Sequence, residues 1–345
     1  MDAAPRPSRP ITDVTGLLDN GLAPAQSRSE LEQVAATFRI RISAAMLAAM
    51  SPAIAAQFVP DPRELQTRPE ELTDPIGDQT HAKGALTHRY PDRVILHATQ
   101  TCEVYCRFCF RRETVGDTGA LAEAEFADAL TYLSANPQIR EVIFTGGDPL
   151  TLSPRRLQDW LTRLAALPSL DVIRFHTRVP VVAPARITDA LLAALDIAKA
   201  VFLVVHANHP DELTPAAQTA LRRLNRAGVA LLSQTVLLRG VNADAETLET
   251  LFRALIRARV KPYYLHHCDL AKGTSHFRTT IAEGQAIMAT LRARLSGIAQ
   301  PTYVLDIPGG HGKVPIGPGY MTQSAPGQWR VTDPNGGMHD YIDPA

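Results

Sequence analysis

From Arg93 onward, short runs of apolar residues alternate with longer segments whose apolar positions recur every three or four residues. The runs read as strands: VILHAT (94–99), EVIFTG (141–146), VIRFHT (172–177), VFLVVHA (201–207), ALLSQTV (230–236), PYYLHH (262–267) and TYVLDI (302–307). Helices fit between them, as in PRRLQDWLTRLAAL (154–167), PAAQTALRRLNRAG (215–228) and DAETLETLFRALIRAR (244–259). The last carries Leu, Phe and Ile at i, i+3, i+4 spacing. Repeated β-α units of this kind predict a parallel sheet. Before them, the chain reads as short helices broken by Pro60, Pro62 and Pro69. After them it turns Gly- and Pro-rich, and WRVTD-PNGG-MHDYI predicts a hairpin about Asn335-Gly336. The expected divisions are a helical cap over 1–80, a partial β/α barrel over 81–307, and a C-terminal loop and hairpin over 308–345.

Polar residues gather at the C-terminal ends of the expected strands. Three cysteines follow the first strand, Gly146-Gly147-Asp148 the second, His176 and Arg178 the third, and His206 and His209 the fourth. Gln234 lies near the end of the fifth, Cys268-Asp269 just beyond the sixth, and Asp306 and Lys313 at and after the seventh. Active sites of β/α barrels are assembled at this end, so these residues are expected to converge on one mouth.

Composition narrows the ligands. Lys plus Arg equals Asp plus Glu at 35 each, which leaves no global field to gather nucleic acid or an acidic membrane. Three of the four cysteines fall within eight residues, a spacing suited to metal chemistry in a reducing, cytoplasmic setting rather than to a disulfide framework. The opening MDAAPRPSRPITD has no apolar signal core, and AMLAAMSPAIAAQF is too short, and too interrupted by Pro52, to span a bilayer.

Cys102, Cys106 and Cys109 stand as C-x3-C-x2-C in TCEVYCRFCFRRE. Their thiolates suit zinc, with His97 or His267 completing a tetrahedron, or an iron–sulfur cluster with one iron left open. An open iron suits S-adenosylmethionine (SAM), whose amino and carboxylate groups can chelate it while the sulfonium accepts an electron. Lys313 sits in PGGHGKV, where glycines allow close backbone approach to a reactive amine able to form a Schiff base with pyridoxal phosphate (PLP); a surface loop is the plain alternative. A phosphate-binding P-loop fails, since it needs Gly at 307 and Ser or Thr at 314, and the chain has Ile307 and Val314. The glycines of Gly146-Gly147-Asp148-Pro149 can present backbone to a cofactor. Asp269 and Asp306 would favour a cationic group, or else cap helices or pair with Lys272 or Lys261.

Several ordered blocks between about residues 75 and 325 resemble the lysine 2,3-aminomutases of the radical SAM superfamily. They are THRYPDR (87–93), CEVYCRFCFRR (102–112), TGGDPL (145–150), TRVPVVAPARIT (177–188), HANHP (206–210), PYYLHHCDLAKGTSHFRT (262–279) and DIPGGHGKVP (306–315). The resemblance implies a partial (β/α)6-type TIM-like barrel, a [4Fe-4S] cluster on the three cysteines, SAM and PLP. It further implies that Lys313 carries PLP with Arg89, Tyr90 and Arg93 around it. Arg111 would meet the substrate carboxylate, and Asp269 and Asp306 the lysine side-chain ammonium. Gly146, Gly147, Asp148, His206 and Gln234 would contact SAM. The implied reaction moves the α-amino group of L-lysine to the β-carbon, fed by a low-potential donor such as flavodoxin or ferredoxin; a homo-oligomer is compatible with it. Two departures stand out: His311 replaces a glycine common in the family, and the cysteine-bearing C-terminal extension of longer members is not matched. Zinc binding and a tetramer are therefore not implied. Paired aspartates argue against glutamate as substrate. Supply of β-lysine for elongation factor P modification uses the same chemistry, and a non-catalytic metal-binding barrel is the reading of another class.

Overall fold

The computed structural model describes residues 9–344; the first eight residues of the expected cap lie outside that range. Four short helices come first, α1 (Val14–Asp19), α2 (Arg28–Thr37), α3 (Ala44–Ala48) and α4 (Pro52–Phe58). Side chains of Asp13, Ser43 and Ser51 cap α1, α3 and α4 by accepting from backbone N–H groups. Ile54 and Phe58 of α4 are fully buried in the same core as the sheet.

Ten strands follow: β1 (Ala82–Lys83), β2 (Leu86–Tyr90), β3 (Arg93–Thr99), β4 (Glu141–Gly146), β5 (Val172–Thr177), β6 (Ala200–His206), β7 (Ala230–Leu237), β8 (Lys261–His267), β9 (Thr302–Asp306) and β10 (Lys313–Pro315). They are hydrogen-bonded in chain order into one sheet that does not close on itself. Strands β3 to β9 run parallel, and β1–β2 and β10 add antiparallel edges. The seven parallel strands lie within one residue of the apolar runs that predicted them.

Their crossovers carry α5 (Glu123–Ala135), α6 (Pro154–Ala165), α7 (Val179–Val182) with α8 (Asp189–Leu195), α9 (Pro215–Arg226), α10 (Ala245–Arg257) and α11 (Ile281–Arg294). In α10, Leu248, Leu251, Phe252 and Leu255 are all fully buried, which is the stripe expected of a helix covering a sheet. The strands alternate in step. On β7, Leu231, Ser233, Thr235 and Leu237 are buried, while Leu232, Gln234 and Val236 line an internal channel.

Three strands carry no apolar pattern that would announce them. The segments β1, β2 and β10 are short and largely polar, and each is held by antiparallel pairing at an edge of the sheet. Lys313 therefore does not sit in the expected loop: it opens β10 and pairs across the ladder with Asp306. The turn between them is closed by Ile307 N–H donating to Gly312 O at 2.8 Å, with Gly309, Gly310 and Gly312 all at positive φ. A separate sheet of β11 (Met321–Ala325), β12 (Gln328–Thr332) and β13 (Met338–Ile342) follows. It includes the hairpin expected at Asn335-Gly336 and one further, mostly exposed strand without apolar alternation.

Candidate active site

The inner faces of the parallel strands enclose a channel of about 800 Å³, and all fifteen residues to which the family resemblance gives a role line it. They divide between two ends, one built on the cysteine loop and one on the β9–β10 hairpin.

At the first end, Cys102, Cys106 and Cys109 leave β3 on a loop held by the N-terminal segment. Tyr105 N–H donates to Arg41 O and Arg107 N–H to Gln57 O, both at 2.9 Å. Burial pushes all three thiols up, Cys109 to about 11; Asp148 and the other two cysteines push Cys102 further, and Cys106 pushes Cys109 further. Arg178 donates from Nη1 to Cys106 Sγ at 2.9 Å, and its Nη2 donates to Gln57 Oε1 at 2.5 Å and Glu212 Oε2 at 2.6 Å. No three His, Cys, Asp or Glu side chains among the described residues are gathered around a single-ion centre. Three thiols on one loop beside the channel fit a [4Fe-4S] cluster that leaves one iron open to another ligand.

Gly146 and Gly147 line this end, but their missing side chains have another explanation. A Cβ on either would come within 2.4 Å of a backbone oxygen, of Thr99 or of Thr101, so glycine is needed for the cysteine loop to lie against β4. Asp148 is likewise occupied by the fold. Its Oδ1 accepts from Thr177 Oγ1 at 2.7 Å and Leu150 N–H at 3.1 Å, and its Oδ2 from the N–H groups of Arg178 and Val179 at 2.6 and 3.1 Å. His206 and Gln234 sit side by side in the β6–β7 register. Burial, and then the charges of Arg178 and Arg111, push the His206 imidazole down to about 3, so it faces the channel neutral.

At the second end, the Lys313 amine is ion-paired with Asp306. Arg89 Nη2 approaches the other Asp306 oxygen at 3.6 Å, and Tyr90 Oη accepts from Lys313 N–H at 3.0 Å. The Arg93 guanidinium stacks 3.7 Å from the centre of the Tyr90 ring. Asp269 faces the same space. Burial, and then the nearby Asp306, push its carboxyl up to about 7. Between the ends, Arg111 donates from Nε to Asp78 Oδ2 at 2.7 Å and from Nη1 to Thr145 Oγ1 at 3.1 Å.

Six buried polar atoms on this wall, Nε of Arg174 and Arg178, Nε2 of His176, His206 and His266 and Oδ1 of Asp306, have no hydrogen-bond partner among the described residues. Unpaired buried groups are costly, and polar cofactors in the channel would satisfy them. Gln57, Asp78, Thr145 and Glu212 join the site without having been expected from the sequence. Only Asp78, four residues after Asp74 in an acidic, Gly-containing turn, carried a local signal.

An open parallel β/α sheet with three thiols behind its first long strand marks the radical SAM class, and the Radical SAM superfamily model matches residues 96–252. The lysine-2,3-aminomutase model matches residues 288–345. The L-lysine 2,3-aminomutase of Fusobacterium nucleatum is 40% identical over 293 residues, covering 84% of this chain and 69% of that one. The chain belongs to the lysine 2,3-aminomutase family, whose members are isomerases that depend on a [4Fe-4S] cluster, SAM and PLP. A putative L-lysine 2,3-aminomutase of Aquifex aeolicus is 48% identical over 238 residues, covering 68% of this chain and 64% of that one. The glutamate 2,3-aminomutase of Clostridioides difficile is 37% identical over 321 residues, covering 91% and 76%. No helix among the described residues is long and apolar enough to cross a membrane.

Proposed function

We propose that the chain interconverts L-lysine and β-lysine by moving the amino group from Cα to Cβ. The observation that carries this reading is the pair of carboxylates, Asp269 and Asp306, on the same channel as Arg111. Burial, and then the second carboxylate beside it, push the Asp269 carboxyl up to about 7. An ammonium between the two relieves both, and the lysine side chain supplies one. A glutamate side chain would instead add a third negative charge. The Lys313 amine resting on Asp306 supports the view that this carboxylate accepts an alkylammonium.

Arg111 supplies the opposite sign at the other end of the substrate. Its guanidinium is oriented by Asp78 and Thr145, which leaves Nη2 free to meet the α-carboxylate. Cys102, Cys106 and Cys109 would hold the cluster, and Lys313, Arg89, Tyr90 and Arg93 the PLP; Gly146, Gly147, Asp148, His206 and Gln234 border the space for SAM. When bound, these groups supply the hydrogen-abstracting radical and the carrier for the migrating nitrogen. The protein's part is to fix the substrate by both charged ends and to keep water from the reacting carbons. A low-potential one-electron donor of the flavodoxin or ferredoxin kind is the implied partner.

The test is anaerobic reconstitution with iron, sulfide, PLP, SAM and a reductant, followed by mass spectrometry of separate lysine and glutamate incubations. β-Lysine from lysine, with no β-glutamate from glutamate, is expected. Turnover of glutamate alone, or of neither, overturns the assignment.

A further inference from the structure

A second concavity, of about 470 Å³, shares no lining residue with the channel. Its wall consists of four arginines, one histidine and three hydroxyl residues drawn from positions 63–68, 239 and 275–280. Every one of these side chains can donate a hydrogen bond, and none is acidic.

Several of the donors have nothing to donate to. Thr279 is 7% exposed, and its hydroxyl is buried without a hydrogen-bond partner. Both ring nitrogens of His276 and the Nε of Arg278 are in the same condition. Leaving a buried polar group unpaired is costly, and here the residues that carry the unpaired groups line one cavity. The arginines are already aligned. Asp61 holds Arg63 at 2.7 Å, Glu283 holds Arg239 at 2.9 Å, and Glu70 lies 3.3 Å from Arg278. Those three carboxylates lie outside the wall, and Arg68 has no ion-pair partner among the described residues. Thr280 is already engaged, in a reciprocal capping box with Glu283 at the start of α11.

An adjoining cavity of about 360 Å³ shares Arg63, Arg239 and His276 with the first, but the rest of its wall is mostly apolar, including Ala56, Val59 and Phe277. Its one acid, Asp61, is fully engaged by Arg63. The two spaces together offer a basic pocket for a head and an apolar pocket for a body.

We propose that these joined cavities bind a small phosphate ester with an apolar or aromatic body, at a site separate from the reaction channel. Phosphate fits better than carboxylate, because its acceptors can meet guanidinium, imidazole and the Thr279 hydroxyl together. An acidic protein face is the competing partner, but the recessed Thr279 hydroxyl favours a small ligand.

The test titrates phenyl phosphate, inorganic phosphate and phenol into the reconstituted holoenzyme, where bound PLP already fills the other phosphate-binding position, and follows heat by calorimetry. Saturable binding of one phenyl phosphate is expected, about tenfold tighter than inorganic phosphate, with none for phenol. Arg68→Ala and Thr279→Val should each weaken it about fivefold or more, and Thr279→Ser should restore it. Lysine turnover in these variants reports on the channel independently. No saturable binding, binding undiminished in both variants, or equal affinity for inorganic phosphate would overturn the two-part site. So would capture of an acidic one-electron carrier, lost in the same variants, when phenyl phosphate does not bind.

Discussion

The two ends of the channel are charged in opposite styles. Around the cysteines, charges from distant segments cancel one another. Glu64, fully buried, accepts from Arg107 Nη2 at 2.5 Å and Nε at 2.9 Å and also pairs with Arg112. Glu212, equally buried, takes Arg178, Gln57 Nε2 at 3.0 Å and the N–H groups of Asn208 and His209 at 2.9 Å. At the lysine end the compensation is incomplete: one Asp306 oxygen lacks a hydrogen bond, and Asp269 sits beside it near neutrality. The first arrangement holds a loop in place. The second leaves negative charge open to exchange one cation for another, which is what binding a substrate ammonium requires.

That contrast can be broken most directly at Lys313. In Lys313→Ala, kcat for lysine should fall by more than about 10³-fold, while the thermal midpoint barely moves, because the residue lies on an edge strand. A large loss of stability instead would mean that the hairpin is a structural lock like the cysteine end.

Glu64→Ala tests the other side. Removing the shared carboxylate strands two arginines inside the protein and should cost about 3–5 kcal/mol in chemical denaturation. A cost below about 1 kcal/mol would show that the N-terminal segment does not secure the cysteine loop through this pair.

The pH dependence of Asp269 sharpens the comparison. Its folded value of about 7 lies above the ordinary carboxylate value, so protonation favours the folded state. That contribution is present at low pH and is lost as pH rises toward 7. A substrate ammonium favours the charged form instead, so lysine affinity should rise about tenfold per pH unit below 7 and level off above it. In Asp269→Asn the profile between pH 5.5 and 8 should be flat and weaker overall; an unchanged slope in calorimetric titrations would remove Asp269 from the substrate site.

The smallest effect is expected at Asp78. Asp78→Asn keeps a hydrogen-bond acceptor for Arg111 but removes the charge, so KM for lysine should change by about three- to tenfold with kcat nearly constant. A fall in kcat with KM unchanged would place Asp78 in the chemical step.

Much of this site is legible in the order of residues along the chain. The seven parallel strands are written as apolar runs because each packs one face under helices, and that requirement acts over neighbouring residues. Once the strands are located, their C-terminal ends bring Cys102, Asp148, His206 and Asp306 to one channel by the topology of β/α units. Glycine at 146 and 147 also answers to the backbone of Thr99 and Thr101, a close approach that the sequence does not show. Lys313 reads as a loop residue because KVP has no pattern of its own.

The sequence alone thus determined the strand positions, the cysteine spacing and several of the strand-end residues that face the channel, since periodicity and motif spacing are local properties of the chain. Tertiary structure decided which charges meet. Arg111 finds Asp78, 33 residues away, Arg178 finds Gln57 across 121, and Thr279 and His276 border a basic cavity with Arg63 and Arg68. Charge pairing depends on how elements pack, and packing leaves no period in the sequence.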